Sequence, residues 1–255
     1  RGGEAYSYMG LGNVYRSLGE YQKAIEFHQQ SLAIFREIFD RGGEAKSYNN
    51  LGNVYLSLGE YQKAIEFYQQ SLAIKREIGD RGGEAKSYNN LGNVYLSLGE
   101  YQKAIEFYQQ SLAITREIGD RGVEANSYGN LGSVYGSLGE YQKAIEFYQQ
   151  SLAIEREIGD RGGEANAWFN LGVTYDKLKR ISEAKEAYLQ SRELYQALGL
   201  AADVQKCDDK IRQLETRKYP LIVAFFLGVI KFPLVLIGVI IVALWRLLKR
   251  WLRKA

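Results

Sequence analysis

Side chains able to do acid–base, nucleophilic or metal chemistry are scarce and isolated in this chain. One histidine, His28, and one cysteine, Cys207, stand among 255 residues. A zinc-type centre draws on several His or Cys ligands, and a disulfide framework needs cysteine pairs. No metal, cofactor or disulfide is therefore expected. His28 lies forty residues before Tyr68, which lies forty before Tyr108 and eighty before Tyr148. It reads as a substitution at a packing position, not as a general base. Of the 20 tyrosines, 16 lie in the first four copies, four to each, so they read as framework. Carboxylates such as Glu60, Glu66 and Glu77 recur in the same way and read as solvated helix faces. No phosphate loop or dinucleotide fingerprint occurs, and no enzymatic activity is expected. Asparagine is the recurring residue with binding chemistry. Asn50, Asn90, Asn130 and Asn170 stand forty residues apart, and an amide both donates and accepts hydrogen bonds, as a peptide backbone does.

The elements that must position these amides follow from a repeat. Residues 41–80 and 81–120 are identical except that Thr115 stands where Lys75 does. Residues 1–40 and 121–160 are close copies, and 161–200 is a diverged fifth, with no insertions. Within residues 41–80 the apolar positions Ala45, Tyr48, Leu51, Tyr55 and Leu58, then Tyr61, Ala64, Ile65, Tyr68, Leu72 and Ile78, keep the three-and-four spacing of two amphipathic helices. Gly59 separates them and can take the left-handed conformation that ends a helix. Gly79 ends the second helix, and Asp80 can cap the next. Phe39 occupies the Gly79 slot in the first copy, so a different junction is expected there.

Tyr48, Leu51, Gly52, Tyr55, Gly59, Ala64 and Tyr68 stand at offsets that resemble the tetratricopeptide (TPR) motif. All five copies, residues 1–200, share the resemblance. Their 40-residue length resembles the repeats of LGN/Pins-type spindle-orientation adaptors and of bacterial TPR arrays. The proline that usually closes the second helix is Arg36, Arg76, Arg116, Arg156 and Gln196 here, which lets that helix run further. The resemblance implies an all-α, right-handed superhelix of five repeats (1–40, 41–80, 81–120, 121–160 and 161–200), whose first helices line a concave face. By that analogy the lining residues are Asn13, Arg16, Lys46, Asn49, Asn50, Asn53, Lys86, Asn89, Asn90, Asn93, Asn130 and Asn170. They are expected to form an amide ladder for an extended peptide of a partner protein. Lys46, Lys86 and Arg16 favour an acidic segment.

Charge divides the chain. Residues 1–200 carry 22 Lys and Arg against 26 Asp and Glu, and residues 201–255 carry 11 against 4. The acidic balance of the array argues against nucleic acid as a partner. The spaced Arg-Gly-Gly triplets at Arg1, Arg41, Arg81 and Arg161 read as helix junctions. Residues 201–218 read as a capping helix over the last repeat. In Leu221–Leu244, 18 of 24 residues are Leu, Ile, Val or Phe, and Tyr219 and Trp245 flank the run. A helix of that length would span ~36 Å, more than the ~30 Å hydrocarbon core. A transmembrane helix over 219–245 is expected, with the lipid bilayer as a partner, a basic tail over 246–255, and the repeats on the cytoplasmic side. Lys231 reduces the gain on insertion without cancelling it. Because the chain starts with Arg1, it is read as a fragment or a processed chain. The expected function is that of a membrane-anchored interaction adaptor. A structural spacer or self-assembly scaffold, or a regulatory fragment of a larger multidomain enzyme, are the alternatives.

Overall fold

The computed structural model describes residues 1–218. Eleven helices occur among them: α1 (Gly2–Ser17), α2 (Tyr21–Glu37), α3 (Arg41–Ser57), α4 (Tyr61–Glu77), α5 (Arg81–Ser97), α6 (Tyr101–Ile118), α7 (Arg121–Ser137), α8 (Tyr141–Ile158), α9 (Arg161–Lys177), α10 (Ile181–Ala197) and α11 (Ala201–Lys218). Each odd helix up to α9 pairs with the even helix that follows, and each even helix packs on the next odd one, so the pairs stack into an α-solenoid.

Local chemistry sets the boundaries. Asp40, Asp80, Asp120 and Asp160 cap the first helices of the second to fifth pairs. Their carboxylates accept from the amides of Gly43, Gly83, Val123 and Gly163 at 2.8–3.0 Å, satisfying a donor the helix leaves open. Gly59 and Gly79 sit at φ +75° and +70°, the conformation that closes the preceding helices. Phe39 takes the same left-handed conformation, φ +59°, with its ring 88% exposed. The first junction therefore keeps the geometry of the others. It differs in one turn bond: the amides of Arg81, Arg121 and Arg161 donate to the glycine carbonyl two residues back, and Arg41 has no such bond.

The core is a line of small clusters, one per helix junction. Gly52, Gly92, Gly132 and Gly172 lie directly under the rings of Tyr68, Tyr108, Tyr148 and Tyr188. A Cβ on Gly52 would stand 2.6 Å from the Tyr68 ring. Gly12 meets His28 in the same way. Tyr55 and Phe67 stack at 5.2 Å, with counterparts in the first, third and fourth pairs. Helix α11 covers α10, burying Cys207 and Leu214 and joining Arg192 to Asp208 and Lys185 to Glu215, both at 2.6 Å.

The expected transmembrane helix and single-pass membrane localisation are corrected here. Among the described residues no helix is long and apolar enough to cross a membrane. The longest helices have 18 residues, and α11 is charged at half of its positions. Each other helix alternates one buried stripe with polar residues, which suits a solenoid and not a bilayer. The described fold is an all-α solenoid of stacked helix pairs, and no described helix is a transmembrane one. The Leu221–Leu244 run and the 246–255 tail lie outside the described residues.

Candidate functional site

First helices meet at α1–α3, α5–α7 and α7–α9; between α3 and α5 the contact is looser. A cavity of about 650 Å³ opens there. It collects Asn13 from α1, Lys46, Asn49, Asn50 and Asn53 from α3, and Lys86 and Asn90 from α5. Seven of the twelve residues expected to line a groove thus share one space. Arg16, Asn89, Asn93, Asn130 and Asn170 do not line it.

The amides differ in what the fold leaves them free to do. Asn53 Oδ1 accepts from the Tyr68 hydroxyl at 2.6 Å, and Asn93 Oδ1 accepts from Tyr108 at 2.7 Å. Each of these carbonyls is satisfied within its own repeat, while the NH₂ group remains a donor. The buried Asn89 donates to Ser111 at 3.0 Å and to Ser127 at 2.9 Å, and accepts from Ser127 at 3.1 Å, so it is held inside the third junction. Asn90 donates to Asn49 Oδ1 at 2.8 Å, a direct link between neighbouring first helices. The side chains of Asn13, Asn50, Asn130 and Asn170 make no hydrogen bond among the described residues. Arg16 is half-buried beside His28, with its Nε unpartnered. Lys46 lies 5.6 Å over the Tyr6 ring.

Sequence reasoning missed the floor of the cavity. Met9, Lys75, Asp80, Gly82 and Gly83 line it as well. Lys75 comes from the last turn of α4 and is only 7% exposed. Its ammonium donates to Ser87 Oγ at 2.9 Å. Burial pushes its pKa down to about 8, against the opposing pull of Asp80. A signal for it did exist, because Lys75 is the one residue that distinguishes the second repeat from the third.

The other candidates resolve into structure. His28 is fully buried with both ring nitrogens unpartnered, and burial together with the nearby Arg16 lowers its pKa to about 4. Burial raises the Cys207 thiol, which bonds Ser191 at 3.5 Å and is thereby less nucleophilic. The Arg-Gly-Gly arginines are ion-paired: Arg81 joins Glu84 at 2.6 Å and Glu117 at 2.5 Å. Arg76, in the slot of the missing proline, donates to Glu84 at 2.9 Å and also bonds the Tyr88 hydroxyl. Burial alone would raise Glu84; the hydrogen bonds from Arg76 and Arg81 hold it below the usual carboxylate value. Among the described residues no group of three or more metal-ligating side chains comes together.

The same architecture recurs in solved structures. BtubC (BKLC) from P. vanneervenii matches with TM-score 0.67 at 22% identity, over 78% of this chain and 82% of that one. Aspartyl phosphate phosphatase F from Bacillus subtilis matches with TM-score 0.74 at 18% identity, over 80% of this chain and 54% of that one. A signal transduction ATPase from Pyrococcus horikoshii with a tetratricopeptide repeat sensor matches with TM-score 0.62 at 21% identity, over 88% of this chain and 37% of that one. At these identities the likeness is one of fold. No match is found among curated proteins. The tetratricopeptide repeat family model matches at residues 3–77, 43–117, 83–157 and 123–197, in register with the 40-residue period. The chain belongs to the tetratricopeptide repeat family.

Proposed function

We propose that the array is a protein-interaction scaffold that holds an extended segment of a partner along its first helices. The observation that carries this reading is the convergence of Asn13, Asn49, Asn50, Asn53 and Asn90 on one cavity, with amide groups left over after the internal hydrogen bonds are made. An extended peptide has one donor and one acceptor per residue to satisfy. Free amides at repeat spacing meet that need without demanding a particular side chain. Lys46 and Lys86 at the rim favour an acidic segment. The catalytic alternative has little to work with, since His28 and Cys207 are packed into separate cores.

Affinity capture with the full chain tests the reading. The control is Asn50→Ala combined with Asn90→Ala. Asn53 and Asn93 are left intact because each accepts from a buried tyrosine. A partner retained by the parent and lost by the folded double variant supports the groove. Equal capture by both sinks it. A spacer role is the second reading, favoured by two repeats that differ at a single position. On that reading, removing one repeat changes reach and leaves partner capture intact.

A further inference from the structure

The thirty-fifth residue of each repeat is the variable element of an otherwise uniform core. Phe35, Lys75, Thr115, Glu155 and Tyr195 occupy it in turn, and all five are buried. Phe35, Lys75 and Glu155 face the start of the next repeat. A Cβ on Gly43 would run into the Phe35 ring, and one on Gly83 would stand 2.9 Å from Lys75 Cδ. Among these five slots, only the one holding Lys75 contributes to the amide-lined cavity.

A buried ammonium costs stability unless it is paired. Lys75 holds one hydrogen bond, to Ser87, and makes no ion pair among the described residues. The nearest acid that acts on it, Asp80, is already engaged in capping α5. Threonine takes the same slot one repeat later, where Val123 stands in place of Gly83, with its hydroxyl bonded to the Leu112 carbonyl at 3.1 Å. The array thus possesses a neutral solution for this position and uses it forty residues away. A costly charge kept where a neutral residue fits, and placed at the floor of a cavity, points to a ligand that neutralises it.

We infer that Lys75 is the anchor for a carboxylate side chain of the bound peptide, an Asp or Glu inserted between α3 and α5 toward its ammonium. This inference rests on the groove reading and deepens it. Lys46 and Lys86 stand at the same cavity and add attraction from the rim; Asn49, Asn50 and Asn90 hold the flanking backbone. The acidic residue would fix the register of an otherwise sliding chain, because the amide ladder repeats and Lys75 does not.

The test uses the full chain and a random 12-residue peptide library. Peptides are selected on the parent, and the best, each with its acid and with that acid changed to the amide, are titrated by calorimetry against the parent and Lys75→Thr. Lys75→Thr makes the second repeat identical to the third and removes volume beside Gly83, so it introduces no clash at the junction. The expected result is an Asp or Glu at a fixed position in the selected peptides. Affinity should then fall about tenfold or more with Lys75→Thr, and by a similar factor when that acid becomes its amide. The two changes together should lose no more than either alone, as coupled partners do. Selected peptides that bind Lys75→Thr as well as the parent, yet fail on the Asn50→Ala, Asn90→Ala variant, would leave the groove standing and overturn the anchor. No selected peptide at all would overturn both.

Discussion

Gly52 and its equivalents are required by distance. Because a Cβ at this position would stand 2.6 Å from a Tyr68 ring atom, Gly52→Ala must push the two helices of its pair apart. It should cost about 3 kcal/mol, the upper range of overpacking. Gly136 lies on a similar helix with its nearest neighbour at 4.0 Å, so Gly136→Ala should stabilise by about 1 kcal/mol through helix propensity. Urea unfolding of the two variants checks the contrast; similar effects would refute the close-approach argument. His28 makes a second residue-scale prediction. Its pKa lies near 4 in the fold against 6.5 in the free side chain, so the native state binds fewer protons between those values. Stability should be full above pH 6.5 and fall as pH drops toward 4, by up to about 3 kcal/mol. His28→Tyr should remove that slope and add about 1 kcal/mol, with the new hydroxyl reaching Asn13 as Tyr68 reaches Asn53. A slope that survives the substitution would place its origin elsewhere.

At the scale of elements, the loops keep one geometry even where the residue resists it. Phe39 holds a left-handed φ with its ring in solvent, gaining no burial in return. Phe39→Gly should raise stability by about 1 kcal/mol, read as an increase in Tm; an unchanged Tm would mean that the ring contributes an offsetting contact. The arginine slot that replaces the usual proline illustrates what a motif comparison leaves out. As a sequence feature, Arg76 marks an absence that lets α4 continue. In the fold it reaches across the junction to a buried carboxylate, Glu84, and to the Tyr88 hydroxyl. Arg36 and Arg116 make the same reach, to Glu44 and Tyr48 and to Glu124 and Tyr128. The longer helix is therefore also a staple between repeats, which the 40-residue spacing alone did not disclose.

On the scale of the whole molecule, stability is a sum over repeats and junctions, but the junctions are not interchangeable. Phe35, Lys75 and Glu155 each face a glycine in the next repeat, whereas Val123 holds that glycine's slot after the smaller Thr115. Deleting residues 41–80 sets Phe35 against Gly83, a pairing the fold already uses. Deleting residues 81–120 sets Lys75 against Val123, which has no precedent. Both deletions remove forty residues of nearly the same sequence, so a purely additive array would lose equal stability. The second deletion should have the lower Tm and a less cooperative thermal transition. Identical transitions would show that junction identity carries no energy.

Much of this architecture is legible in the sequence. A 40-residue period, helical spacing, Gly–Tyr pairs and Asp caps are local or nearest-neighbour properties, and each repeat restates them. Seven of the residues expected to line a groove also share one cavity. The state of each side chain cannot be read in the sequence. Asn53 and Asn89 look alike in sequence, yet one keeps its NH₂ group available and the other is bonded on all sides within a junction. A hydropathy argument also points to a transmembrane helix that no described helix supports. The period, the helices and their stacking follow from short-range spacing repeated along the chain, so the order of the residues is enough to specify them. Which amides remain free, and that Lys75 lies at the floor of their cavity, is settled only in three dimensions, because those outcomes depend on groups that three successive repeats bring together.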